Sequence, residues 1–144
     1  SEMSGGVEDV RIWDCDLENS LYGVEIKGTK KRGGYVRGVC VRRSVLPRVL
    51  MHAVTYNDDG EGAPEPPVFS DCTFSDLTLT GIACPLNGEA RPCPAIELSG
   101  FDAGAHAIRG VRFSRIRLRA EEGSVPAIRL ENCYDVTFDG VTRP

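Results

Sequence analysis

Between Lys27 and Arg48 the chain carries eight cations and no anion: Lys27, Lys30, Lys31, Arg32, Arg37, Arg42, Arg43 and Arg48. A run of one sign attracts polyanions. Nucleic acid is disfavoured, because aromatics for base stacking are missing apart from Tyr35. An acidic polysaccharide fits the charge without them. The plainer reading is a solvated loop and the outer faces of strands. At the head of the run, Gly23-Val24-Glu25-Ile26-Lys27-Gly28 alternates apolar and charged residues. If Val24 and Ile26 face inward, Glu25 and Lys27 share the outer face of a strand, roughly 6.5–7 Å apart.

The remaining chemistry-bearing residues read as structural. Two histidines and no Cys-x-x-Cys pair argue against zinc, so no metal and no cofactor is expected. Of the six cysteines, Cys15, Cys72 and Cys133 sit at apolar positions and read as small buried hydrophobes. Cys40 carries no pattern. Cys84 and Cys93 flank a loop and could bridge in an oxidising compartment. His52 reads as a strand residue and His106 as a loop residue. Asn57-Asp58-Asp59-Gly60 is turn chemistry. The polar, Gly- and Pro-rich stretch 57–67 around it reads as a mobile loop.

The elements that must position these residues come from a repeat. One apolar template, h-x-x-h-x-h-x-x-h-x-h, occurs five times. It starts at Val7, Val36, Phe69, Ile108 and Cys133, with Ser44 at one apolar position and Arg143 at the last. Each h-x-h pair has the period of a strand, and the two residues between pairs make a bend. A further alternating run follows at Val24 and Ile26, at Ile96 and Leu98, and at Ile128 and Leu130, with a fourth of uncertain register near Val49 to Val54. Strand, bend, strand, loop, strand is the coil of a parallel β-helix, and uneven starts mean corner loops of different length. The expected fold is all-β, a right-handed parallel β-helix of about five coils forming a single domain over 1–144. A β-sandwich or jelly roll ranks second, since it needs alternation but not five copies of one template. Helices are disfavoured, because Gly (16) and Pro (9) interrupt most windows.

No apolar run is long enough to span a membrane, and no signal-peptide pattern is present. The latter says nothing of a longer parent's destination. The template decays at Arg143, whereas the first copy begins at Val7 without a cap. The chain is therefore expected to be the C-terminal part of a longer helix. The first coil should be open, the last better covered, and an end-to-end homodimer through the first coil should follow.

Several segments resemble glycoside hydrolase family 28, the polygalacturonases and related pectin hydrolases. Ser1-Glu2-Met3-Ser4-Gly5-Gly6-Val7 is similar to the segment after the family's Gly-His-Gly motif. Gly23-Val24-Glu25-Ile26-Lys27-Gly28, followed by Arg32-Gly33-Gly34-Tyr35-Val36, resembles its Arg-Ile-Lys motif and the glycine-rich turn after it. Tyr56-Asn57 and then Pro67-Val68-Phe69-Ser70-Asp71 resemble its tyrosine and the strand entry that follows.

The resemblance implies a parallel β-helix that hydrolyses pectin with inversion. That chemistry requires a carboxylic acid and a carboxylate base ~6.5–9.5 Å apart. The family's aspartate motifs, Asn-Thr-Asp and Gly-Asp-Asp, are absent from these residues, so no catalytic residue is assigned and the isolated chain is expected to be inactive. Three substrate-binding residues are implied: Lys27, as a point charge for a carboxylate or hydroxyl; Tyr56, stacking on or bonding to a sugar; and Glu25, standing where the family has arginine. A glutamate there would repel a sugar carboxylate, unless it is spent on a neighbouring cation such as Lys27. The expected partner is an acidic or pectic polysaccharide bound in a parent hydrolase. The alternative is a non-catalytic β-helix for carbohydrate binding or adhesion.

Overall fold

The computed structural model describes residues 5–56, 62–119 and 125–143. Residues 1–4, 57–61, 120–124 and 144 lie outside them, and with them the Asn57-Asp58-Asp59-Gly60 reading and part of the loop expected over 57–67. The first coil is β1 (Gly6–Glu8), β2 (Arg11–Trp13) and β3 (Gly23–Gly28), and the second is β4 (Tyr35–Arg37), β5 (Cys40–Leu46) and β6 (Arg48–Ala53). The third is β7 (Val68–Leu79), β8 (Ile82–Ala83), β9 (Arg91–Pro92) and β10 (Ile96–Ser99). The fourth is β11 (Ile108–Leu118) and β12 (Ile128–Glu131), and β13 (Cys133–Thr142) opens a fifth. No helix occurs among the described residues.

Coil stacks on coil through parallel pairing. One sheet runs β1-β4-β7-β11-β13, with β2-β5 joining it at β7, and another runs β3-β6-β10-β12. The register aligns the template copies: Val7 with Val36, Val36 with Phe69, Cys72 with Val111, and Val111 with Val136. The expected interior column is therefore present, with Val39, Cys72 and Val111 in the buried core and Val10 and Val136 packed against it. Beside it runs an aromatic stack. The Phe74 and Phe113 centroids are 5.0 Å apart at 15°, and those of Phe113 and Phe138 are 5.2 Å apart at 9°. The fourth run resolves as β6, with Val49 aligned between Val24 and Ile96.

The bends have one physical basis. In all five copies the second residue of each x-x pair has positive φ. The first corner stacks Asp9, Gly38, Asp71, Gly110 and Asp135, with φ between 52° and 66°. The second stacks Asp14, Arg43, Asp76, Arg115 and Gly140, with φ between 49° and 69°. Left-handed backbone costs an L-residue about 1–2 kcal/mol, and glycine and aspartate tolerate it best. At the first corner aspartate and glycine alternate because the aspartate occupies its neighbour's space. A Cβ on Gly110 would lie 2.8 Å from Asp71 Oδ1. At the second corner the arginines are held by bidentate bonds. Arg43 Nε and Nη2 donate to Asp14 at 2.7 and 2.9 Å, and Arg115 does the same to Asp76 at 2.6 and 2.8 Å. These bonds hold Asp14 and Asp76 below the usual carboxylate range. Charge-assisted, two-pronged pairing offsets part of the backbone cost at Arg43 and Arg115.

Ser44 suits its apolar position because its hydroxyl is satisfied there. It accepts from Cys15 N at 3.1 Å and donates to Arg42 O at 3.0 Å. Cys72 is fully buried, and burial pushes its thiol up to about 11. All six cysteines are free thiols, and the Cys84–Cys93 loop is an antiparallel hairpin of β8 and β9.

One expectation needs correcting. The last coil is not better covered than the first. Leu130 and Phe138 are 42% and 38% exposed, whereas Val24 and Ile26 of the first coil are only 6% and 7% exposed. Decay of the template removes apolar residues from the terminal coil, but among the described residues it leaves Phe138 partly exposed at the end of the phenylalanine stack.

The stack gives a test. Phe113 is sandwiched between Phe74 and Phe138 and is 1% exposed, so Phe113→Ala should cost about 3–5 kcal/mol in urea unfolding. Phe138→Ala, at the open end, should cost less than half as much. Equal costs would mean that the coils do not stack in this order.

Candidate functional site

The outer face of the β3-β6-β10-β12 sheet gathers a group of charged residues. Strand alternation sets this, since Val24 and Ile26 are buried and Glu25 and Lys27 must face out. Parallel pairing then sets the neighbours. Glu25 aligns with Leu50, Leu50 with Glu97, and Glu97 with Arg129; Lys27 aligns with His52.

Lys27 and Tyr56 meet on this face. The Lys27 ammonium donates to the Tyr56 hydroxyl, and its Nζ lies 4.7 Å from the ring centroid. Tyr56 is half exposed. Glu25 lies alongside, with Oε2 3.9 Å from Lys27 Nζ and Oε1 2.9 Å from His52 Nε2. The tyrosine hydroxyl is the main cause, and the Glu25 carboxylate a further one, of a Lys27 ammonium held above its usual range. The structure thus brings the three expected residues together. Lys27 and Arg32 also line a shallow pocket with Gly33, Tyr35 and Pro67.

His52 was not singled out by sequence, yet it stands beside Lys27 and bonds to Glu25. The signal that would have found it is the register of Val24 on Val49. A second ionic cluster continues along the face. Glu97 receives Arg129 Nη1 at 3.3 Å and lies 3.8 Å from Arg48 Nη1, while the Arg48 guanidinium sits 5.1 Å from the Tyr22 ring centroid.

The basic run does not form one basic patch. Arg37 pairs with Glu8 at 2.6 Å and Arg43 with Asp14 at 2.7 Å, both acids lying one coil earlier. Arg42 sits 5.8 Å from the Trp13 ring centroid, and Arg48 is engaged by Tyr22 and Glu97. Arg37, Arg42, Arg43 and Arg48, close in sequence, are thus shared among outer strand faces and engaged across rungs.

The loops after β3, β6 and β10 stack at the corner beside this face. Ala63 N donates to Lys31 O at 2.6 Å, and Phe101 packs edge-on against Phe69 at 5.5 Å. His106 joins two of these loops. Its Nδ1 bonds to Asp102 Oδ2 at 2.7 Å, and its Nε2 lies 3.2 Å from Glu65 Oε2. Asp102 Oδ1 also accepts from the backbone of Gly104 and His106. The hydrogen bond to Asp102, aided by Glu65, holds His106 above the usual histidine range, and the same bond holds Asp102 below the usual carboxylate range. Among the described residues no group of three or more potential ligands could hold a metal ion, and no helix is long and apolar enough to cross a membrane.

No family model matches the chain. Over 98 residues it is 52% identical to a probable polygalacturonase of Vitis vinifera, a match covering 64% of this chain and 20% of that protein. Its fold matches that of a Yersinia enterocolitica family 28 exopolygalacturonase with a TM-score of 0.58 at 21% identity, over 93% of this chain and 25% of that one. The chain therefore spans about a fifth to a quarter of the length of these two proteins. The resemblance to glycoside hydrolase family 28 is borne out by a sequence relative and by a shared parallel β-helix.

The corner loops carry a pH signature. A histidine raised above its unfolded value stabilises fully below that value, ~6.5, and the contribution is lost as pH rises through the folded value. The unfolding midpoint of the wild-type chain should therefore fall as pH rises above about 6.5, by more than that of His106→Gln. An NMR titration placing His106 at or below ~6.5 would contradict the Asp102–His106–Glu65 link.

Proposed function

We propose that the chain forms part of the substrate cleft of a pectin-type polysaccharide hydrolase, with Lys27, Tyr56 and Glu25 contacting sugar on the outer face of β3. The observation that carries this reading is the meeting of Lys27, on the regularly paired strand β3, with Tyr56, 29 positions later and just beyond β6. A half-exposed aromatic ring beside an ammonium and a carboxylate is suited to a sugar, offering an apolar surface for its ring and charged partners for its hydroxyls. The similarity to a probable polygalacturonase supports a pectic substrate. A long, straight side face, repeated from coil to coil, suits a polymer.

The reaction would draw its acid and base from carboxylates outside these residues, since neither aspartate motif occurs in the sequence. Lys27 would hold a sugar oxygen by direct donation, and Tyr56 would fix the Lys27 side chain while presenting its ring. The non-catalytic reading, a β-helix that binds carbohydrate or mediates adhesion, uses the same face. Aspartate motifs on coils preceding Gly6 in the parent would decide for the hydrolase, and coils without them for the binding module. For the 144-residue chain by itself, we also propose that the first coil, exposed at Val7 and half-buried at Val10 and Ile12, pairs two molecules end to end.

Three outcomes are expected. Lys27→Ala and Tyr56→Ala should each weaken binding of pectic oligosaccharides about tenfold or more in calorimetry, as loss of a charge-assisted contact predicts. Reducing-sugar assays of the isolated chain should find no turnover. Turnover abolished by substituting a residue of this chain would place a catalytic site within it. Sedimentation at high concentration should find dimers, and a monodisperse monomer would exclude the end-to-end pairing.

A further inference from the structure

The His106 ring has a carboxylate on each nitrogen, an arrangement that only its charged form satisfies in full. We propose that His106 is a proton-operated latch: as an imidazolium it holds segment 62–67, through Glu65, against the loop after β10, and on losing the Nε2 proton it releases that segment while keeping its bond to Asp102.

Hydrogen-bond capacity makes the latch. Asp102 Oδ2 lies 2.7 Å from Nδ1, and Glu65 Oε2 lies 3.2 Å from Nε2. Ionised carboxylates only accept, and an imidazolium donates from both nitrogens. The neutral ring has one N–H and one lone pair. One carboxylate then loses its donor and faces the lone pair instead.

Three observations decide which one. The Asp102 contact is the shorter. Asp102 is also fixed in place, because its Oδ1 accepts from Gly104 N at 2.8 Å and from His106 N at 3.0 Å. Its side chain is 46% exposed against 75% for Glu65, so water competes more strongly for Glu65. The proton therefore stays on Nδ1, and Glu65 is the partner that leaves. The neighbouring cation, Arg109 of β11, is turned to the backbone, with Nη1 donating to Ala105 O at 3.3 Å.

The segment depends on this contact. Near its ends, Ala63 N donates to Lys31 O at 2.6 Å and Val68 N to Gly34 O at 3.1 Å. Between these points Pro64, Pro66 and Pro67 have no N–H to give. Glu65 is thus the tether at the middle, reaching from the loop of one coil to the loop of the next. Pro67 lines the pocket that holds Lys27 and Arg32, so the latch sets how firmly one wall of that pocket is held. Asp102 and Glu65 hold the ring above the usual histidine range. The latch is therefore closed below ~6.5 and opens as pH rises through the folded value.

Amide exchange and imidazole NMR on the 144-residue chain test this from about pH 5.5 to about pH 8.5, either side of the ordinary histidine value. The ring nitrogen shifts should show His106 losing its proton at Nε2 and keeping it at Nδ1. Over the same transition, protection of Ala63 N–H, corrected for intrinsic exchange at each pH, should fall roughly two- to fivefold, the worth of an exposed ion pair. Protection of Gly104 N–H should not follow. Glu65→Ala should lower Ala63 protection at both ends of the range. Glu65→Gln should preserve it at both, since a carboxamide accepts from the imidazolium and donates to the neutral ring. Wild-type Ala63 protection that is flat with pH, a Glu65→Gln variant that still loses it as pH rises, or a neutral ring protonated at Nε2 overturns the latch.

Discussion

The left-handed corners are the constraint on which everything else rests. Each coil must turn twice within eleven residues while keeping its apolar side chains in register with the coils above and below. Ten residues with positive φ do this, one in every x-x pair. Because each corner recurs at the same place, the corners stack. Stacking converts a local backbone cost into neighbourly pairing: aspartate over glycine at one edge, aspartate with arginine at the other. The aromatic and aliphatic columns follow, since one slipped residue would move every inward side chain to the outer face.

The same stacking builds the site. Glu25 and Lys27 are made outward by alternation within β3, while Tyr56 and His52 arrive from the next coil. The offset between rungs differs by face. Val7 aligns with Val36, an offset of 29, but Val24 aligns with Val49, an offset of 25. The link from β5 to β6 is shorter than the segment that precedes β3, and the difference accumulates there. Lys27 thus sits opposite His52 in the ladder, yet reaches Tyr56 just beyond the end of β6.

This mismatch explains what could be read from sequence. The template was legible because its period is local and every copy follows it. The outward placement of Glu25 and Lys27 was legible for the same reason. His52 was not, because its neighbour depends on a corner length that no local pattern fixes. The basic run from Lys27 to Arg48 suggested a patch because sequence adjacency hides the acids one coil away: Glu8 answers Arg37 and Asp14 answers Arg43. His106 appeared partnerless because Asp102 and Glu65 reach it only once the corner loops stack. Exposure of Phe138 was hidden too, since covering a column requires a further coil or cap and not merely the end of a pattern.

The claim that sugar is held on the outer face of the β3-β6-β10-β12 sheet is open to one direct measurement. Amide chemical-shift mapping of the labelled chain with an esterified pectic oligosaccharide should move signals in β3 and β6, through Gly23–Gly28 and from Leu50 to Tyr56. The outer faces of β2, β5, β7 and β11, at Trp13, Arg42, Ser75 and Arg112, should stay still. Perturbations centred on those residues, with β3 and β6 unmoved, would contradict the assignment and move the binding surface to a different side of the helix.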